Sequence, residues 1–549
     1  MSAGVEPSNR SAPSQSAPAR TIELDRPSPT PPSPLAAFAT SRPARAIGWF
    51  LVLAAVPYAH PKLRSLRLIE APWDRAAPAI TAPLDPAGSQ GLSAEYGDLA
   101  LKEGRDEAPP MLDESTGEVT FAASTIGGKS PATKGSAAAP PIVLSDLARD
   151  VGANARAVED PSGHALDAFY ASLARTEKGE PGATTRVAHY GDSLLVSDFM
   201  SSTLRRRFQA RFGDGGHGWL LAAKPWAWYF HQDVSFWSSE GWNTHRIVNP
   251  RITDELYGYG GATFRTREGG IRASFSTAKA EPGDPTTEKQ AFGRRASRFD
   301  VHYLEQPEGG SFDVLVDGKV VDTVNTRATS KALKLSTIHA DDGPHTFDLK
   351  TTGSGEVRLF GVALERDLPG VVWDALGVNG ARARLLDVID HAHWAESLRL
   401  RDPQLVVLQF GTNESEDTGY PMSTYESTLE GVLREVKDAL PNASCLVVGT
   451  MDRAGAGSGG LATRPIIPLL SESQRKVAFK VGCAFWDTFY AMGGDGAMGR
   501  WSQSKPKLGG GDLTHPTATG AALLGDLLYS ALTQGFDTAR AGAPTQTPR

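Results

Sequence analysis

Four short stretches of the sequence hold residues whose types and spacing suit nucleophilic chemistry. Asp512-Leu513-Thr514-His515-Pro516 sets a carboxylate three residues before an imidazole. At that spacing the carboxylate can turn back onto Nδ1, fix the tautomer and leave Nε2 facing a nucleophile. Gly191-Asp192-Ser193 supplies a hydroxyl; the run Arg186 to Tyr190 before it reads as a strand, so Ser193 falls at a strand-to-helix turn. Gly411-Thr412-Asn413-Glu414 follows a second apolar run, Leu405 to Phe410, where an Asn amide can donate to a developing oxyanion. Gly377-Val378-Asn379-Gly380 follows Val371 to Trp373 and offers backbone N–H groups with no side chain in the way. Each stretch also has a plain reading: a turn and helix cap, a helix-start acid beside a surface His, or ordinary Asn-Gly turn chemistry. Their value lies in their company, as four turns at one edge of one sheet.

The elements needed to build that edge are legible around the motifs. From Val143 to Glu177 the spacing of Leu166, Phe169, Tyr170 and Leu173 is helical, and Leu204, Phe208 and Phe212 repeat every four residues after the serine. Past Glu365 apolar strands alternate with helices: a capping box at Ser423-Thr424-Tyr425-Glu426 opens a helix, Cys445 to Val448 reads as a strand, and Gln474 to Val481 and Thr517 to Leu532 as helices. That alternation predicts a parallel sheet covered on both faces. Between the two halves the chain turns rich in Gly, Trp, Tyr and Thr. Asp317-Gly318 joins Phe312-Val314-Val316 to Val320-Val321-Val324 as a hairpin, and Phe299 to Leu304, His345 to Leu349 and Val357 to Leu364 read as further strands. This predicts a sandwich-like module. Trp226, Trp228 and Phe230 alternate as on one strand face, with Trp237 and Trp242 close behind. Such rings stack on sugars but also fill sandwich cores, so no single ring is assigned a ligand. The run Arg205-Arg206-Arg207 reads as a solvated helix face, and His189, His217, His231 and His245 as structural or surface residues.

Composition sets the surroundings. Of the 549 residues, 56 are basic and 63 acidic; a net charge of −7 leaves no broad basic surface for nucleic acid. The two cysteines, Cys445 and Cys483, lack a nearby His motif, which removes a zinc site; they read as two inert buried thiols, and no metal or cofactor is called for. Residues 1–45 are dominated by Pro, Ser, Ala and Arg and are expected to be disordered. Residues 46–60 hold an uncharged apolar run flanked by arginines and lysine, short for a span and suited to an export signal or anchor. Residues 61–142 form a low-complexity linker. The expected plan is then 143–225 and 367–536 as two parts of one α/β domain, 226–366 as a β-rich insertion, and 537–549 as a disordered tail.

In the order of their blocks these motifs resemble the SGNH or GDSL hydrolases. Gly191-Asp192-Ser193 matches the first block, Gly380 the second, Gly411-Thr412-Asn413 the third, and Asp512 with His515 the last. The resemblance covers about Val143 to Phe536 and implies a flavodoxin-like, three-layer α/β/α fold. It also implies ester hydrolysis through an acyl-enzyme: Ser193 as nucleophile, His515 as base, Asp512 orienting it, and Ser193, Gly380 and Asn413 holding the oxyanion. Two departures stand out, Glu414 where many members have Asp, and a long stretch between Ser193 and Gly380. With Phe212-Gly213-Asp214-Gly215-Gly216-His217-Gly218, they resemble the bacterial peptidoglycan O-acetylesterase branch, which carries a sandwich like a carbohydrate-binding module at this place. The resemblance implies an acylated polysaccharide of the cell envelope as substrate; the apolar run at 46–60, as an anchor or an export signal, is expected to place everything downstream on the periplasmic side, anchored or secreted. Two other functions share the sequence pattern: O-acetyl transfer by the same triad, and wall binding by a catalytically inactive chain.

Overall fold

The computed structural model describes residues 157–542 apart from 227–228, 278–293, 418 and 458–459, together with a short antiparallel pair, Met111–Asp113 with Glu118–Thr120. The expected tail 1–45, the apolar segment 46–60 and residues 143–156 lie outside the described residues. Among the described residues no helix is long and apolar enough to cross a membrane.

A five-stranded, all-parallel sheet runs in the order Gly370–Gly377, Thr184–Gly191, Leu405–Gln409, Ser444–Val448, Ala484–Trp486. Numbered along the chain that is 2-1-3-4-5, the flavodoxin-like order, in which ligands sit beyond the strand ends where the winding reverses. Successive side chains of each strand point to opposite faces. Val187, Val407, Leu446 and Trp486 therefore enter one core with Phe169, Leu204 and Leu524 of helices Asp167–Glu177, Phe199–Phe212 and Ala518–Gly542. Ala188, Val406, Val447 and Phe485 enter the other with Trp394, Leu429 and Leu470 of helices His391–Arg401, Met422–Ala439 and Ile466–Val481. The α/β/α layering follows from strands apolar on both faces.

Between Ser193 and Gly370 the chain builds two antiparallel sheets. One orders Lys319–Asn325, Ser311–Val316, Thr346–Thr352, Gly269–Ser276 and Ser235–Ser238; the other orders Ala332–Gly343, Ala296–Glu305, Val357–Glu365, Ala262–Thr266 and Asn243–Arg246, with Gly218–Leu221 also paired to Val357–Glu365. The hairpin at Asp317-Gly318 forms with both residues at positive φ, 50° and 78°, as a tight two-residue turn requires.

Buried ions fasten these sheets to the parallel one. Asp374, on the edge strand, accepts from Arg401 Nε and Nη2 at 2.8 and 2.9 Å, from the Trp219 amide at 2.9 Å and from the Tyr259 hydroxyl at 3.1 Å. Arg401 also pairs with Glu365, which takes a fork of two 2.8 Å bonds from Arg186. Burial pushes the Glu365 carboxyl up, but the two guanidinium groups outweigh it and hold the group well below its ordinary value.

Several expectations need correction. The helix opens at Met422, one residue before the supposed capping box, and Glu426 instead meets Lys476 and Ser473 of the neighbouring helix. Arg205, Arg206 and Arg207 are no solvated face, for each pairs with a carboxylate, Asp198, Asp233 and Asp526 respectively. Trp226 lies in no strand and is buried, Trp228 falls outside the described residues, and Trp237 is 53 % exposed. Cys445 and Cys483 are not free thiols: Cys445 lies on strand Ser444–Val448 and Cys483 immediately before the adjacent parallel strand Ala484–Trp486, with Leu446 opposite Ala484, and the two form a disulfide. The final helix runs on to Gly542, past the expected start of the tail at 537.

Two outcomes follow from the buried charges and imidazoles. Asp374→Ala strands Arg401 with half its partners and should cost about 3–5 kcal/mol of stability, read as a lowered urea midpoint. Burial holds the imidazoles of His189 and His302 down to about 3 and those of His231 and His393 to about 4. The unfolded chain then binds more protons than the folded one below about pH 6.5, so stability falls with pH. Each imidazole should contribute up to about 1.4 kcal/mol per pH unit between roughly pH 6 and 4, measured by denaturation across that range.

Candidate active site

All five parallel strands end level with one another. Gly191 stands opposite both Gly377 and Gln409, Gln409 opposite Val448, and Val448 opposite Trp486. Ser193, Gly380 and Asn413 follow the first three of these ends by two to four residues. Parallel register thus gathers residues far apart in sequence at one edge.

Ser193 opens the short helix Ser193–Val196, which Asp192 caps by accepting from the Leu194 amide at 3.1 Å. Its Oγ lies 2.8 Å from His515 Nε2. His515 Nδ1 is 2.5 Å from Asp512 Oδ2, and Asp512 Oδ1 accepts the amides of Thr514 and His515, each at 3.0 Å. An acceptor on Nδ1 places the proton there and leaves Nε2 as the acceptor for the serine hydroxyl. Burial raises the Asp512 carboxyl, but the hydrogen bond and charge of His515 and the two amides outweigh it and hold it below its ordinary value. The turn that folds the carboxylate back places Leu513 at φ 57°, a region a leucine enters at a cost of roughly 1–3 kcal/mol. Its carbonyl accepts from the Ala454 amide at 3.0 Å and its amide donates to Gly510 at 3.2 Å, so neighbouring segments hold the strained turn.

The other two turns are joined to this one. The Val378 amide donates to the Gly191 carbonyl at 3.0 Å, tying the second block to the nucleophile turn. Gly380 sits at φ 75°, which suits glycine, and Asn413 Nδ2 donates to the Ala381 carbonyl at 2.8 Å, leaving its second N–H for another acceptor. Gly411 has φ 131°, and a Cβ there would meet Thr450 at 2.5 Å.

Arg453 is a residue the motifs did not disclose. Buried at the end of the fourth strand, it donates to the Thr412 carbonyl at 2.9 Å, to Ser415 Oγ and Glu416 at 2.5 and 2.8 Å, and to Thr514 Oγ1 at 3.1 Å. It links the Asn413 turn to the loop that carries His515. The antiparallel region also borders the site: the Phe230 amide donates to Val196 at 3.4 Å, and Val248 lies 3.9 Å from the place of a Cβ on Gly380.

Two of the histidines read from the sequence as structural or surface residues meet each other, His217 Nε2 lying 3.0 Å from His231 Nδ1. With Asp198 they are spaced closely enough to hold a metal ion. The group does not suit one. Asp198 already accepts from Arg205, Ser201 and the Gln232 amide, and the buried Arg205 guanidinium beside it repels a cation.

Residues 341–523 match the family described as GDSL-like Lipase/Acylhydrolase. That span includes Gly380, Asn413, Asp512 and His515 and begins after Ser193, which the antiparallel region separates from the rest. No curated protein matches the sequence. Among solved structures, a peptidoglycan O-acetylesterase is similar over 69 % of this chain and 99 % of its own, at 21 % identity and a TM-score of 0.57, and shares the fold. A family two carbohydrate esterase from Clostridium thermocellum, solved with cellohexaose, overlaps 50 % of this chain and 95 % of its own at 12 % identity, with a TM-score of only 0.23. The matched span, the shared α/β/α fold and a serine, histidine and aspartate in hydrogen-bonded series make the chain similar to the GDSL-like acylhydrolases and support a serine hydrolase that acts on esters.

Proposed function

We propose that the protein removes O-acyl groups, most simply O-acetyl groups, from a polysaccharide of the cell envelope such as peptidoglycan. The observation that carries the reading is the continuous series Ser193 Oγ, His515 Nε2, His515 Nδ1 and Asp512, whose links are 2.8 and 2.5 Å long. The choice of substrate is supported by the similarity in fold to a peptidoglycan O-acetylesterase along almost the whole of that protein.

In this mechanism Ser193 Oγ attacks the acetyl carbonyl while its proton passes to His515 Nε2. The oxyanion is held by the backbone N–H groups of Ser193 and Gly380 and by Asn413 Nδ2. Collapse breaks the bond to the sugar oxygen, which takes the proton from His515 and leaves acetyl-Ser193. Water then attacks, His515 accepts its proton, and acetate departs as the serine regains the proton. Asp512, held ionised, balances the imidazolium at both stages. If a sugar hydroxyl replaced water, the same residues would perform acetyl transfer.

In this reading residues 46–60 take the chain to the envelope and the region from 143 onward lies on its outer side. The disulfide between Cys445 and Cys483 supports this, because such bonds persist in oxidising compartments.

Acetate release from p-nitrophenyl acetate and O-acetylated peptidoglycan tests the reading. Ser193→Ala should abolish both, and Asn413→Ala should lower kcat by about 10²–10³-fold. Activity surviving in Ser193→Ala would remove the triad mechanism; cleavage of the small ester alone would remove the polysaccharide. In fractionated cells the full chain should sediment with the envelope and resist thiol labelling until reduced. Recovery in the cytosol with two reactive thiols would contradict the location.

A further inference from the structure

We propose that Glu414 is a positioning residue that holds the Gly380 turn and the Asn413 turn at the separation the oxyanion requires. This rests on the reading above, in which those two turns bind the oxyanion. Glu414 is 5 % exposed. Its Oε1 accepts the Ala383 amide at 2.8 Å and its Oε2 the Gly411 amide at 3.0 Å, so one carboxylate spans the loops after two different strands. Asn413, its neighbour in the chain, returns the tie through its bond to Ala381. At the rim Asp417 pairs with both Arg382 and Arg384 at 2.6 Å, closing the same two loops from outside.

The ionised acid is needed for this geometry. A carboxylate can accept at both oxygens, whereas an amide or a protonated acid turns one of its two ends into a donor facing another N–H. The Glu414 side chain reaches both amides while Asn413 keeps its own bond to Ala381. Burial raises this carboxyl to about 7, helped by the charge of Asp192 and opposed by the Ala383 and Glu414 amides and by Arg382. Asp192 from the Ser193 turn and Arg382 from the Gly380 loop are charged groups that act on it, and its own charge raises the hydroxyl of the buried Tyr425 on helix Met422–Ala439. The clamp is complete above that range and opens as pH falls through it.

The test uses the full chain, with kcat and KM for p-nitrophenyl acetate across pH 5–9. Glu414→Gln should lower kcat by about 10²-fold while KM stays within about twofold, the pattern of a displaced transition-state contact. Glu414→Asp, which keeps the charge, should recover at least about tenfold of that loss. In an Asn413→Ala background the Gln substitution should cost little more, because both act on one contact. The acid limb of kcat/KM should fall with nearly two protons in the unaltered chain and with one in the Gln variant. Unchanged kcat in Glu414→Gln, an Asp variant no better than the Gln one, or full multiplicativity with Asn413→Ala would overturn the proposal. Should the Gln variant not fold, the Asp variant and the proton count of the unaltered chain decide: full activity in Asp with a one-proton limb would also overturn it. Turnover persisting in Ser193→Ala would instead remove the reading on which it rests.

Discussion

The site depends on the parallel pairing of strand Thr184–Gly191 with neighbours on both sides. Because Gly191 is level with Gly377 on one side and Gln409 on the other, the three loops that follow leave the sheet at one height. A shift of one residue in either register would turn every side chain of that strand to the opposite core and carry Ser193 out of line with the other two turns. The apolar alternation that fills two cores is therefore also what aligns the chemistry. The fold and the site are one constraint seen at two scales.

His515 reaches the same edge from elsewhere in the chain and needs its own support. Helix Ala518–Gly542 packs beside helix Phe199–Phe212, and the pairs Arg207 with Asp526 and Arg211 with Asp537 fix one along the other. Those arginines thereby help hold His515 beside Ser193. Arg453 does the same from the opposite direction, bonding Thr514 on one hand and the Asn413 turn on the other. A serine hydrolase needs its groups held within a fraction of an ångström, and here buried charge-assisted bonds do the holding. Their directionality suits the task better than apolar packing, which tolerates small slides.

The antiparallel sheets stand in a similar relation to the catalytic layer. Asp374 accepts from Trp219 and Tyr259 of that region and from Arg401 of the α/β/α layers, so neither side can move without exposing a buried charge. Val248 and Phe230 then lie beside the Gly380 and Ser193 turns. The region that separates Ser193 from Gly380 in sequence thus lies beside both in space.

By itself the sequence determined the parallel strands, the hairpin at Asp317-Gly318 and the four turns. Those signals are local: an apolar run, a residue with left-handed freedom, a carboxylate three residues before an imidazole. Partnership between distant residues was not legible. Nothing near Cys445 announces Cys483, which becomes its neighbour only when two parallel strands pair. Arg205, Arg206 and Arg207 look like a solvated run until Asp198, Asp233 and Asp526 arrive from three other segments. Glu414 and Arg453 belong to the same class, for a single charged residue in a loop has no period or motif, and its meaning lies in the amides and hydroxyls that the fold brings to it. Chain-local chemistry can be read along one dimension; the pairing of buried charges is decided in three, because the cost of leaving a charge unpaired arises only once the chain has closed around it.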